Sequence, residues 1–300
     1  MSWILRDPNI YAALRQEGLW RKNYTKENSD WEYMGFTDTT HAGVSDVSVN
    51  GENIIISSSR KHFWHSIDGG NTWENTYLNY VNQENDKLYV LWVERSLHDP
   101  NVIIAQESGA GFFISSDSGY TWEFIYGGLG SSSIFEYIEW HPHKEGEVWI
   151  WGVVDFLLEG RAFILENYGV SLKYKINLKS ELGLIWDLTF DVRDPDVVYA
   201  LTGGSIIYKT NDGGFTWENL QIDLEVNNWL KQIVEDPRTA GSYFLSDAHN
   251  IYHSKDGFSS INLVKTFDEE LFRVIIEDNI LFYEVKGDIK FISLDDIDIN

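Results

Sequence analysis

Short runs of β-branched and aromatic residues, broken by turns rich in Gly, Asn and Asp, fill most of the chain. Residues 193–220, "RDPDVVYALTGGSIIYKTNDGGFTWENL", show the pattern in full. An Asp-Pro turn leads into the run "VVYALT", a Gly-Gly turn follows, and "SIIYKT" begins a second run. "NDGG" then reads as another turn, with a Trp at its exit. Each unit predicts four short strands: an innermost one, a second after the DP-type turn, a third after a Gly-containing turn, and a fourth opening on Trp. No stretch carries a convincing amphipathic helical period, so the pattern predicts an all-β chain.

The unit recurs. "SIDGGNTW" at 66–73, "SSDSGYTW" at 115–122 and "TNDGGFTW" at 210–217 all fit Ser/Thr-x-Asp-x-Gly-x-Thr-Trp. Degenerate copies stand between them: "TKENSDW" at 25–31, "LENYGVSL" at 165–172, "SKDGFSSI" at 254–261 and the beginning "SLD" at 293–295. The Asp-equivalent positions are then 27, 68, 117, 167, 212, 256 and 295. Four short strands about every 45 residues are the mark of a propeller blade.

The boxes and their spacing resemble the Asp-box (BNR) repeat family of β-propellers, over nearly the whole chain. That family includes sialidases, xyloglucanase-type glycosidases, sortilin-like receptors and photosystem assembly factors. The resemblance implies a β-propeller, and third strands read seven times, around 19–24, 61–66, 111–115, 161–165, 205–209, 250–254 and 288–293, predict seven four-stranded antiparallel blades in one domain spanning 1–300. The blades are expected near 1–36, 41–78, 87–127, 131–176, 185–222, 227–266 and 270–300. The box turns are expected on the outer side of each blade, away from the central pocket. The first unit has only Met1–Leu5 ahead of its "RDP", and the last stops inside its box. A join of N- and C-terminal strands is therefore expected, with Ser2-Trp3 matching the "TW" that exits each box. Failing such a join, an open blade edge would favour self-association.

The box itself reads as architecture. A short carboxylate in the turn accepts bonds from nearby backbone N–H groups. Gly119 and Gly214 supply positive φ. Asp68, Asp117, Asp212 and Asp256 are thus turn residues, and Trp73, Trp122 and Trp217 carry rings back between strands.

Composition narrows the partners. Charge is −24, from 23 basic and 47 acidic residues. Such a field repels phosphate backbones and anionic lipid, which argues against nucleic acid and membrane docking. There is no cysteine, so disulfides, thiolate zinc sites and Cys nucleophiles are excluded. No signal peptide or membrane-spanning run is read, so a cytoplasmic place or membership of a particle is expected. No cofactor is implied.

Propeller ligands usually meet the innermost strands at one channel mouth. On those strands the charged residues Asp46, Glu136, Asp187, Lys231 and Arg273 stand near one level. They are read as channel-lining ion pairs or, together with Tyr137, as a pocket for a polar ligand. Asp46, Glu136 and Asp187 are also the carboxylates from which a glycosidase pair would come. Trp92, Trp140, Trp186 and Trp229 fill inter-blade space or, if exposed, stack on sugars. Trp149 and Trp151 are expected in the core. His141 and His143, with Glu139 just before them, lack an evident third ligand, so no metal site is assigned. The acidic tail "SLDDIDIN" reads as a frayed end rather than a calcium site.

No "RIP" occurs and most of the nine Arg lie outside the innermost strands, which excludes a sialidase. Xyloglucanase-type enzymes set two propellers around a cleft, and this chain has one. The photosystem factors are disfavoured by the lack of a basic patch. The expectation is a non-catalytic recognition or scaffold propeller that binds a protein or glycan at the channel mouth. The alternatives are a glycoside hydrolase and a component of a phage or cell-surface assembly.

Overall fold

A computed structural model describes residues 2–6, 8–15, 17–26, 29–36, 43–58, 62–77, 90–107, 111–125, 137–152, 159–179, 184–222, 224, 229–277 and 279–297. Seven antiparallel sheets follow one another along the chain, each a simple meander. The first holds β1 (Ser2–Arg6), β2 (Asn9–Leu14), β3 (Gly18–Asn23) and β4 (Glu32–Gly35). The second holds β5 (Val44–Asn50), β6 (Asn53–Ser58), β7 (His62–Ser66) and β8 (Glu74–Tyr77). The third holds β9 (Val90–Arg95), β10 (Ile103–Glu107), β11 (Gly111–Ser115) and β12 (Glu123–Ile125). The fourth holds β13 (Tyr137–Trp140), β14 (Val148–Trp151), β15 (Glu159–Glu166) and β16 (Ser171–Lys179). The fifth holds β17 (Ile185–Phe190), β18 (Val198–Thr202), β19 (Ile206–Thr210) and β20 (Glu218–Leu220). The sixth holds β21 (Gln232–Glu235), β22 (Tyr243–Ser246), β23 (Asn250–Ser254) and β24 (Asn262–Thr266). The seventh holds only β25 (Leu271–Glu277), β26 (Ile280–Val285) and β27 (Asp288–Ser293) among the described residues. The chain is an all-β, seven-bladed propeller.

Second strands such as "VWIW" (β14), "VYALT" (β18) and "YFLS" (β22) are buried at every residue. Each lies mid-blade with a neighbouring blade against both faces, so neither face can be polar. Fourth strands such as "ENL" (β20) sit on the rim and are largely exposed.

The apolar residues divide into seven clusters, one for each blade interface. Tyr11, Leu19, Val47 and Ile54 join blades one and two, and Ile55, Phe63, Val93 and Ile103 join two and three. Trp92, Phe112, Trp140 and Ile150 follow, then Trp149, Ile164, Leu188 and Val198. Trp149 and Trp151 lie in that core as the sequence predicts.

The box turns explain these interfaces. Asp212 accepts from Thr210 Oγ1 at 2.7 Å, from the backbone N of Phe215 and Thr216, and from Thr216 Oγ1 at 2.6 Å. Thr210 Oγ1 in turn accepts from the N–H of Gly214. Asp68, Asp117 and Asp256 repeat the same bonds. Each box Trp donates to its own box glycine, Trp122 to Gly119 O at 3.1 Å and Trp217 to Gly214 O at 3.0 Å. Its ring then enters the interface with the preceding blade. Gly119 is needed twice over: its φ is +96°, and a Cβ there would meet Ile55 Cδ1 of blade two at 2.2 Å.

The boxes abut the turns that join first to second strands. Ser118 N donates to Asn101 O, Gly213 N to Asp196 O and Gly257 N to Gly241 O. A belt of side-chain bonds runs from blade to blade at this same end. His98 Nε2 bonds His141 O at 3.1 Å, His141 Nε2 bonds Pro195 O at 2.9 Å, and Arg193 Nη2 bonds Pro237 O at 3.0 Å. Arg238 Nη1 reaches Asn279 Oδ1 at 3.1 Å.

The ends of the chain close the ring, but not by the strand exchange expected from "SW". Ser2–Arg6 pairs with Asn9–Ala13 as the innermost strand of its own blade, so the first blade has four strands and the last has three among the described residues. The join is instead made by side chains. Trp3 Nε1 donates to Glu284 Oε2 at 3.0 Å, and Arg273 Nη1 donates to Trp3 O at 2.8 Å. Trp3, Leu5 and Ile10 pack with Phe282 and Ile289 across this seam. Alternation decides the outcome: Trp3 and Leu5 are buried while Ile4 is half-buried, the pattern of an inner strand with a blade on either side.

Candidate functional site

The innermost strands surround the central channel, and their ladders fix which residues share a level. In β5 the register slips between Val44 and Asp46, in β17 between Ile185 and Asp187, and in β25 between Leu271 and Val274. A bulge re-aims the side chain it carries. Here it turns Asp46, Asp187 and Arg273 towards the innermost strand of the next blade. Asp46 Oδ2 accepts from Val93 N at 3.0 Å and Asp187 Oδ2 from Ile233 N at 2.8 Å. Arg273 makes the corresponding bond to Trp3 O. Three of the five charged residues read from the sequence therefore sit at one level and share one task.

The other two do not. Lys231 lies one residue before the level; Gln232 occupies it, and Gln232 Oε1 accepts from Val274 N at 2.7 Å. Lys231 turns outward to Glu270 at 2.8 Å and lies over the Phe272 ring. Being neutral, Gln232 escapes a search for charge. Glu136 lies outside the described residues; next to it, Tyr137 leads β13, exposed and stacked on Trp151 with centroids 5.6 Å apart.

Two carboxylates that the search by level passes over complete the site. Glu94 and Glu139 sit two residues beyond Trp92 and Tyr137, on the same face of their strands, at the level of Ser48 and Thr189. The signal for them was the two-residue period of a strand, counted on from an aromatic rather than from a charge. Burial pushes the Glu94 carboxyl up to about 7; neighbouring Asp46 adds to this, and Arg6, Arg273 and Arg95 oppose it. Burial pushes Glu139 to about 8, with Asp187 and Glu94 adding to it and Arg273 opposing. Asp187 rises to about 7 through burial, opposed by its backbone bonds and by Arg273. Glu139 is open to the channel's water yet deep within the protein, so depth, not close contact, is what desolvates it. Arg273 favours the ionised form of carboxyls on three other blades, Glu94, Glu139 and Asp187.

The aromatic residues separate clearly. Trp92 and Trp140 are core, and Trp186 packs against the interface of blades five and six. Trp229, Tyr137 and Phe272 are exposed. They stand at the starts of innermost strands, the end of the propeller opposite the boxes.

His141 is fully buried and serves the inter-blade belt. Its Nδ1 accepts from His143 N and Lys144 N, so its proton is on Nε2, facing Pro195 O. Burial lowers it to about 4. His143 bonds Asp191 O at 3.1 Å. Among the described residues no group of three His, Cys, Asp or Glu could hold a metal ion. Ser293 in the tail caps a short 3₁₀ turn, Leu294–Asp296.

Fold, box bonds and channel together define a seven-bladed propeller with Asp-box turns. Among solved structures, this chain is similar to a Ycf48 bound to a D1 peptide, with TM-score 0.71 and 13% identity over 95% of this chain and 88% of that one. It is also similar to the β-propeller domain of Cps50 (Swd1) from Myceliophteria thermophila, with TM-score 0.68 and 10% identity over 95% and 93%. An ancestral GH74 enzyme matches with TM-score 0.62 and 15% identity over 82% of this chain but only 35% of its own. No family model and no curated protein sequence matches the chain.

Proposed function

We propose that this propeller is a non-catalytic recognition module that holds a protein segment at the channel mouth bearing Tyr137, Trp229 and Phe272. The observation that carries the reading is the division of labour at that end. Asp46, Asp187, Gln232 and Arg273 are committed to the backbone of neighbouring blades, while three large rings stand open to solvent. Committed carboxylates hold the ring together and are poor candidates for proton transfer. Exposed aromatic rings at a mouth provide contact area at little entropic cost. The likeness to a Ycf48 that binds a peptide supports a protein over a glycan partner.

The test is a decapeptide array run beside a glycan array and a panel of chromogenic glycosides. The expected result is retention of peptides by the wild-type chain and at least about tenfold weaker retention by a Tyr137→Ala/Trp229→Ala variant, as for loss of central aromatic anchors. Glycoside turnover that disappears on Asp46→Asn or Asp187→Asn would replace this reading with a hydrolase. Retention of glycans but not peptides would make the module a lectin. Silence on all three would leave an assembly part.

A further inference from the structure

We infer that two copies of this chain join edge to edge through β27, the third strand of the seventh blade, in an antiparallel pair centred on Ile289. The surface lies on the rim of the propeller, away from the channel mouth, and is independent of the recognition reading above.

Six of the seven blades end on a fourth strand, and the seventh ends on its third among the described residues. The hairpin that precedes this open edge fixes which backbone groups face outward. Lys286 and Gly287 have φ of +51° and +75°, the two positive values of a two-residue type I′ turn. In such a hairpin the flanking pair, here Val285 and Asp288, is the hydrogen-bonded one. Alternation then directs the N–H and C=O groups of Lys290 and Ile292 towards β26, and those of Ile289, Phe291 and Ser293 away from it. The bond from Leu294 N to Asn279 O at 2.8 Å continues the same alternation. In the fifth blade the corresponding edge is filled, since Ile207, Tyr208 and Lys209 of β19 pair with β20. Beyond β27 the chain turns inward, and Leu294 and Ile297 bury in the cluster between blades six and seven.

An open row of N–H and C=O groups is a template for another strand, and charge decides which strand fits. A lysine on such an edge ordinarily guards it against pairing. Here Asp288 stands two residues before Lys290, and both are exposed on one face of β27. A two-fold axis through Ile289 sets Asp288 opposite Lys290 of the second copy, and Lys290 opposite its Asp288. Both cross-strand pairs then carry opposite charge. The alternation permits this register, because the outward groups of Ile289 meet those of Ile289 in the second copy. It also lays Phe291, which is 49% exposed, opposite Gly287 of the second copy, where no side chain competes for the space. Centring the pair on Lys290 would set two lysines face to face. Centring it on Phe291 would leave each lysine opposite Ile292. Asp-x-Lys thus turns a guard against foreign strands into a match for the chain's own copy.

A strand pair of this length buries less than the roughly 1,000 Å² of a stable interface, and two chains of net charge −24 repel each other. The dimer is therefore weak, with a dissociation constant on the order of 100 μM at about 0.15 M salt, where the repulsion is screened beyond about 8 Å.

Sedimentation equilibrium over about 10–500 μM chain, at about 0.15 M salt, reads the association. The wild-type mass is expected to rise with concentration from one chain towards two. Asp288→Lys and Lys290→Asp each set like charges across both pairs, so each variant alone should associate at least about tenfold more weakly. Mixed in equal amounts, the two variants regain opposite charges in both pairs and should recover the wild-type association as a mixed dimer. Phe291→Pro removes an outward N–H without touching a bond to β26, and it should weaken association to a similar extent while the melting temperature stays near that of the wild type. A wild-type chain that remains monomeric throughout would overturn the inference. So would single variants that associate as tightly as wild type, or a mixture that does no better than either variant alone. A monomeric chain that retains on the array a peptide lost on Phe291→Pro would give the edge to a strand of a different protein and refute pairing with its own copy.

Discussion

Trp3 Nε1 and Glu284 Oε2 meet at 3.0 Å, joining residues 281 positions apart at the seam where the propeller closes. Both groups are buried, and the bond lies where the first and last blades share no strand. The seam's stability therefore depends on side-chain packing, this bond and the bond from Arg273 to Trp3 O.

Replacing Glu284 with Leu should cost about 1–3 kcal/mol, because the buried indole N–H loses its acceptor. Trp3→Ala should cost more, about 3–5 kcal/mol, through the cavity left between blades. Urea melts of both variants measure the two costs. A Glu284→Leu protein as stable as wild type would show that packing and the Arg273–Trp3 bond hold the seam without it.

Gly119→Ala tests the double demand on the box glycine. The clash is with Ile55 Cδ1, the far end of a flexible side chain, and that end can move. The backbone at φ +96° cannot relieve its strain in the same way. A loss of about 1–3 kcal/mol is expected. Adding Ile55→Val removes the clashing methyl but not the strain, so the double variant should recover only part of the loss. Complete recovery would assign the cost to the clash.

His141 predicts an acid limb in stability. Its folded-state value, about 4, lies below its ordinary 6.5, so the unfolded chain binds the proton more readily. The neutral ring's contribution is full above pH 6.5 and is lost as pH falls towards 4. Thermal melts across pH 4–7 should show a steeper decline in the wild type than in His141→Gln, which cannot titrate. Equal slopes would refute the assignment.

The box carboxylates act at lower pH. Bonds from Thr216 and Thr210 hold Asp212 down to about 2, against an ordinary 3.8. Its support is present above pH 3.8 and disappears as pH falls through 2. Asp212→Ala should lower the melting temperature at pH 7 by more than at pH 2. It should leave peptide binding at the far mouth unchanged, a comparison that separates architecture from function at this residue.

Glu94 and Glu139 have the opposite sign. Their values are raised, so their own contribution to stability is fullest below about 4.5 and is lost as pH rises through 7–8. Gln at both positions should raise the melting temperature at pH 8 and leave it nearly unchanged at pH 4. Parallel melting curves at the two pH values would show that channel water already solvates both carboxyls.

The fold was legible because its determinants are local. Ser/Thr-x-Asp-x-Gly-x-Thr-Trp is a self-contained set of turn bonds. It recurs in full three times and in degenerate form between, and the seven third strands gave the number of blades. Asp46, Asp187 and Arg273 were legible for a related reason: a charge in an apolar inner strand marks a break in the repeat. Lys231 misled by one residue because register there is fixed by pairing with β22. Glu94 and Glu139 were passed over because aromatic residues occupy the marked level in their blades.

The sequence by itself determined the number of blades, their internal order and the structural role of the boxes, all short-range consequences of strand period and turn chemistry. Tertiary structure decided how the ring closes and which carboxyls face one another across the channel. Those outcomes depend on partners from separate blades, 40 to 280 residues apart, and no local pattern encodes the distance between them.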